Sequence, residues 1–143
     1  MKLISHRGNI NGPHTDQNSE GLIVRRIEEG YEVEIDIWRI SSKLFLGHDK
    51  PEKETSKEFL ISNSKKLWVH CKNIESLAHL IDFDLNVFFH TDEDVVLTSK
   101  GNLWTFPGKK VFPNSILVLP EIQSFEKIPE CFGICSDYIE RYR

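Results

Sequence analysis

The sequence predicts an α/β fold in a single domain spanning residues 1–143, and three observations carry that reading. Apolar runs rich in β-branched and aromatic residues alternate with stretches of helical periodicity, the pattern of strand–helix–strand units on a largely parallel sheet. No low-complexity linker or internal repeat divides the chain. With 143 residues, 39% of them hydrophobic and 28% charged, the chain can bury one ordinary core.

The elements follow in order. The first strand covers residues 2–7. A helix over 19–29 opens at Asn18 or Ser19, whose side chains can accept from free N–H groups, and closes at Gly30. A second strand, 31–38, follows at once, and 42–47 is a short extended segment. Thr55-x-x-Glu58 reads as a capping box before a brief helix carrying Phe59, Leu60 and Ile61. A third strand covers 66–71. Asn73 caps a helix in which Ile74, Leu77, Ala78 and Ile81 fall at i, i+3, i+4 and i+7 and make one apolar stripe. The fourth strand is 86–91. Two short extended pieces flank a Lys100-Gly101-Asn102 turn within 96–106. Strands at 115–119 and 132–136 bring the expected total to six or seven in the main sheet.

Composition excludes some functions. A net charge of −4 leaves no broad basic face to neutralise a nucleic-acid backbone. No stretch approaches the ~20 apolar residues of a membrane span, and the apolar run at the start is too short for a signal peptide, so a cytoplasmic protein is expected. Cys71, Cys131 and Cys135 are an odd number with no second pair for a zinc site, which points to reduced, structural thiols.

Almost every expected strand ends in polar or ionisable residues: His6-Arg7, Glu34-x-Asp36, His70-x-Lys72, His90-x-Asp92, Glu121 and Ser136-Asp137. Parallel strands deliver their C-terminal ends to one face, where active sites gather. The second strand is the sharpest case. Alternation puts Val33, Ile35 and Ile37 on one face and Glu32, Glu34 and Asp36 on the other. Carboxylates turned into a covered interior are costly without a cation or proton partner, so a divalent metal is expected. The competing arrangement is a half-exposed strand with a solvated acidic face.

Ser-His6-Arg7-Gly8, Gly30-Tyr-Glu-Val-Glu34-Ile-Asp36 and Leu46-Gly47-His48-Asp49 occur in the order and approximate spacing of the glycerophosphodiester phosphodiesterase motifs, and the chain resembles that family. It also looks like the related sphingomyelinase D enzymes. The likeness is carried by the first 49 residues; beyond them it extends loosely through the strand with Lys72 and the Cys-Ser-Asp137 segment. It implies a reduced or incomplete TIM-like (β/α) barrel with parallel strands. It further implies His6 and His48 as the acid/base pair, Glu34 and Asp36 as metal ligands, Arg7 and Lys72 on the phosphate, and hydrolysis or cyclising cleavage of a small phosphodiester, such as a glycerophosphodiester of lipid metabolism.

This chain departs from the family pattern at three points. His70 stands where the family places a carboxylate two residues before the lysine; with His70 as third ligand, the expected single ion (magnesium, calcium or manganese) extends to zinc. The Glu-Asn pair after the first strand reads Gln17-Asn18. The chain is also far shorter than the ~250 residues of an eight-fold barrel, so helices must be missing, and exposed sheet flanks would invite a homodimer. Further readings are a catalytically inactive phosphate-ester-binding barrel, a metal-dependent phosphomonoesterase, and Arg7 as a mere salt-bridge partner of Glu34 or Asp36. His14 and His79 read as surface residues, His90 with Asp92 as a secondary site candidate, and Trp38, Trp68 and Trp104 as core or lining residues.

Overall fold

The computed structural model describes residues 1–123 and 125–143. In chain order its strands are β1 (Lys2–His6), β2 (Glu32–Ile40), β3 (Lys43–Leu46), β4 (Lys53–Thr55), β5 (Leu67–Cys71), β6 (Asn86–Phe88), β7 (Val95–Leu97), β8 (Leu103–Thr105), β9 (Ser115–Val118) and β10 (Gly133–Ser136). The helices are α1 (Glu20–Glu28), α2 (Lys57–Ser62) and α3 (Ile74–Leu80).

Local chemistry starts each helix. Ser19 accepts from Leu22 N–H at the head of α1, and Asn73 accepts from Ser76 N–H at the head of α3. At α2 the cap is Ser56, accepting from Phe59 N–H, rather than Thr55, which belongs to β4. The face that α3 buries also differs from the expected stripe. Ile74 and Ile81 are exposed, while Ser76 and Leu80 are fully buried. Ser76 can be buried because its hydroxyl donates to the carbonyl of Asn73 at 2.8 Å, a local bond that counting apolar residues does not see.

Strands β6, β5, β2, β1, β10, β9 and β8 lie side by side in parallel. β7 pairs antiparallel with β8, and the β3–β4 hairpin pairs antiparallel with β2. β2 is long enough to serve three neighbours. Its first half pairs with β1 (His6 beside Glu34), its second half with β3 (Ile37 beside Leu46), and β5 lies along its other edge (Asp36 beside His70).

The expected reduced TIM-like (β/α) barrel of parallel strands does not form. The sheet is mixed, ten-stranded and curled into a half-barrel, with three short α-helices among the described residues. The cause lies in the connections. Beyond Leu80 no described segment between strands is an α-helix: β6 runs on to β7, which turns back against β8, and the link from β9 to β10 has only the 3-10 turn Pro120–Ile122. Strand and helix alternate only in the first part of the chain, so helices cover only part of the sheet.

Two apolar layers fix the orientation of β2. Val33, Ile35 and Ile37 pack with Ile23, Leu60, Val69 and Leu80 on the helical side. Inside the curl, Ile4, Trp68, Phe88, Trp104, Ile116 and Val118 form a second cluster. The acidic face of β2 therefore points into the curl, with Glu32, Glu34 and Asp36 at 6%, 2% and 0% exposure, and not into solvent. Glu32 is satisfied at the far end of that interior by Lys2 and by the Trp68 indole N–H at 2.8 Å. All three cysteines are free thiols. No helix among the described residues is long and apolar enough to cross a membrane.

Candidate functional site

Parallel register builds the site. Asp36 and His70 are direct neighbours on β2 and β5, and His6 and Glu34 are direct neighbours on β1 and β2, so three strands present side chains to one point inside the curl. Glu34, Asp36 and His70 each offer one donor atom, all within 4.8 Å of one another. His70 Nδ1 lies 3.0 Å from Asp36 Oδ1 and 3.8 Å from Glu34 Oε1.

The two carboxylates are unequally satisfied. Asp36 Oδ2 accepts from the Asn18 amide at 2.9 Å and lies 3.0 Å from Arg7 Nε, an ion pair by distance whose N–H is not aimed at the oxygen. Lys72 Nζ is 3.9 Å from Oδ1. Burial opposes the charged form of Asp36, but the His70 hydrogen bond, Arg7 and Asn18 outweigh it and hold the carboxyl below its ordinary range. Glu34 accepts one long backbone bond, from Arg7 N–H at 3.3 Å, with His6 Nε2 at 3.7 Å. Burial first, and then the charge of Asp36, push its carboxyl well up despite His6 and Arg7.

A buried carboxylate so thinly partnered, beside a second carboxylate and an imidazole, fits a divalent cation. Two hard oxygens and one nitrogen suit manganese, iron or zinc, and magnesium less closely. Burial, followed by the nearby charges of Lys72 and His90, lowers the pKa of His70 below its ordinary value despite the Asp36 hydrogen bond, so the ring stays neutral, the form that can ligate.

Three further histidines, His6, His48 and His90, line the same cleft. His6 Nδ1 is 2.8 Å from Asp137 Oδ1, and that oxygen also accepts from the Asn9 amide at 2.7 Å. Glu121 steadies the segment, accepting from Asp137 N–H at 3.0 Å and from the Ser136 hydroxyl at 2.8 Å. Burial works against a charged His6, but Glu34 and Asp137 win and raise its pKa. His48 sits at the mouth with its side chain 37% exposed and its Nδ1 2.8 Å from Asp49 Oδ1. The turn before it requires glycine, because a Cβ at Gly47 would collide with the Lys50 carbonyl.

The cleft has a volume of about 200 Å³. Its lining combines the polar side chains of His6, Arg7, Glu34, His48, His70, Lys72 and His90 with the apolar ones of Trp104, Phe106, Val118 and Leu119. Arg7 and Leu119, both just past strand ends, have left-handed backbone (φ 56° and 46°), strain of a kind that gathers at functional sites.

Each of the seven residues singled out from sequence therefore lies in or directly behind one cleft. Six line it, and Asp36 lies behind Glu34, His70 and Arg7. Arg7 does pair with Asp36, as the salt-bridge reading anticipated. Sequence reasoning left Asp137, Asn9 and Glu121 without roles, and read Asn18 only as a possible helix cap and as half of the Gln17-Asn18 pair. Asp137 and Glu121 were visible as strand-end acids, but their pairing across the fold was not. Asn18 carried a usable signal: it follows the first strand closely and adopts φ 55°, a conformation asparagine tolerates better than most residues. Comparison with family models, curated proteins and solved structures gives no match for this chain.

Proposed function

We propose that this protein is a metal-dependent phosphodiesterase acting on a small phosphodiester of the glycerophosphodiester kind. The observation that carries the reading is the convergence of two carboxylate-held imidazoles, His6 and His48, with the Glu34–Asp36–His70 donor set in one cleft. A bound divalent cation would neutralise charge on the nonbridging phosphate oxygens. Arg7 and Lys72 line the same cleft and add positive charge for those oxygens. His48, open to solvent, takes the proton from the attacking water or from a neighbouring hydroxyl of the substrate. His6, buried and held through Nδ1 by Asp137, hands a proton to the departing alcohol oxygen. With water as nucleophile the diester becomes a monoester and an alcohol; with an internal hydroxyl the product is a cyclic phosphate. The same reading places the reaction in the cytoplasm, without a nucleic-acid partner; two copies of the chain could associate through the exposed sheet edges.

A second reading has one specific observation behind it. Both oxygens of Asp36 are already engaged by Arg7, Asn18, His70 and Lys72, so the pocket could hold a phosphate ester without metal or turnover. The test is hydrolysis of bis-para-nitrophenyl phosphate and glycerophosphodiesters by metal-stripped protein, with magnesium, calcium, manganese or zinc restored in turn. Metal-dependent turnover that His6→Ala and Glu34→Ala both abolish supports the enzyme. Phosphate-ester binding by calorimetry with no turnover under any metal supports the binder.

A further inference from the structure

Part of the cleft lining is apolar and aromatic, and the proposed chemistry leaves it unused. His90 stacks on His70 with ring centroids 4.5 Å apart and meets Phe106 at 4.4 Å with the rings tilted by 52°, and Trp104 packs against Phe88 at 4.5 Å. His90 is half-buried in this wall. Val118 and Leu119 complete it, Leu119 held in its left-handed conformation by a hydrogen bond from its N–H to the Cys135 carbonyl at 2.8 Å.

We propose that this wall is the subsite for one ester arm, where it selects a flat or apolar alcohol over a polyol, while the glyceryl arm stays on the solvent side of the cleft. The inference rests on the phosphodiesterase reading and narrows its substrate class. Three physical points support it. A polyol such as glycerol would bring most of its hydroxyls against Phe106, Val118 and Leu119, leaving only the ring nitrogens of His90 and Trp104 as partners, and each unpaired hydroxyl stripped of water there is a penalty. A ring or short alkyl group loses water at no such cost and can stack on Phe106 and His90. The volume of about 200 Å³ also accommodates a phosphate and one small group, leaving the second arm in solvent. Selectivity therefore falls on one arm only.

The test compares benzyl glyceryl phosphate with diglyceryl phosphate, diesters that share a glyceryl arm with its neighbouring hydroxyl and differ only in the second alcohol, using the metal-loaded protein. The expected kcat/KM favours the benzyl ester by about tenfold or more, the size associated with taking one aromatic ring out of water. Phe106→Ala is expected to remove most of that preference, and Phe106→Leu, which keeps the packing volume, to fall between. Equal rates on the two esters, or equal losses in Phe106→Ala, overturn the subsite. If neither ester is cleaved, the catalytic reading fails, and the subsite is judged by calorimetry with benzylphosphonate against glycerol 3-phosphate. Tighter binding of the benzyl compound that weakens in Phe106→Ala sustains it, and equal binding overturns it.

Discussion

Replacing Asn18 by alanine strikes the joint between the loop after β1 and the acidic strand β2. The asparagine side chain is 2% exposed; its amide donates to Asp36 Oδ2 at 2.9 Å, and its carbonyl accepts from Asp36 N–H at 3.0 Å. Its own N–H donates to the Arg7 carbonyl at 3.0 Å, and that bond survives the change. Loss of a bond to a charged acceptor costs about 2 kcal/mol, and a buried Asp36 N–H left without its acceptor costs about 1 to 2 kcal/mol more. Alanine in left-handed backbone adds about 1 kcal/mol. The expected destabilisation is about 4 kcal/mol, a large share of the roughly 5–15 kcal/mol of a whole domain. Urea unfolding of metal-stripped protein, followed by tryptophan fluorescence, measures it without interference from ligation. Asn18→Asp sharpens the test: it preserves shape and the backbone bond but sets a carboxylate against Asp36. It should destabilise at neutral pH and recover in acid. An alanine cost below about 1 kcal/mol, or an aspartate tolerated at neutral pH, would refute the reasoning.

Other outcomes follow from the same geometry. Glu34→Gln should stabilise the metal-free protein at pH 8, by more than about 1 kcal/mol. The folded pKa of Glu34 lies above its ordinary 4.5, so wild-type stability is full below that value and is lost as pH rises through the folded pKa; thermal melts at pH 4.5 and 8 read the difference. His90→Phe keeps the stack without a titrating group. Wild type, whose His90 has a folded pKa below the ordinary 6.5, should lose stability relative to the variant as pH falls through 6.5, again in metal-free melts. Gly8→Ala should cost about 2 kcal/mol in urea unfolding, since Gly8 has φ 88° and a Cβ would stand 2.8 Å from Leu22 Cδ2. His48→Ala should lower diester turnover by about 100-fold or more with stability within about 0.5 kcal/mol of wild type, because the side chain is partly exposed.

The parts of the fold legible in the sequence were those set by neighbours in the chain. Ser19 and Asn73 announce their helices through their own side chains, and the alternation along β2 correctly sorts Val33, Ile35 and Ile37 from Glu34 and Asp36. The architecture was not legible, because whether a parallel strand is followed by a helix depends on what the linking segment packs against. Residues 96–106 read as two extended pieces, which they are, but nothing local says that β7 turns back on β8 and not across the sheet. β4, three residues long, has too few positions to show a period. At the site, the strand-end residues could be placed because register follows from parallel pairing. Asp137 could be seen but not assigned, since its partner is 131 residues away.

That separation bears on how the molecule comes together in time. β1 lies between β2 and β10, so the earliest strand of the chain stays half-paired until the latest one arrives. The Glu34–Asp36–His70 group can assemble from β2 and β5 alone, whereas His6 gains its partner only when residues 131 positions apart meet. Such closures are slow, because their entropy is spent before any contact repays it. An intermediate able to capture a cation but lacking its restrained imidazole should precede the finished protein during refolding, and the recovery of cation binding should run ahead of the recovery of turnover.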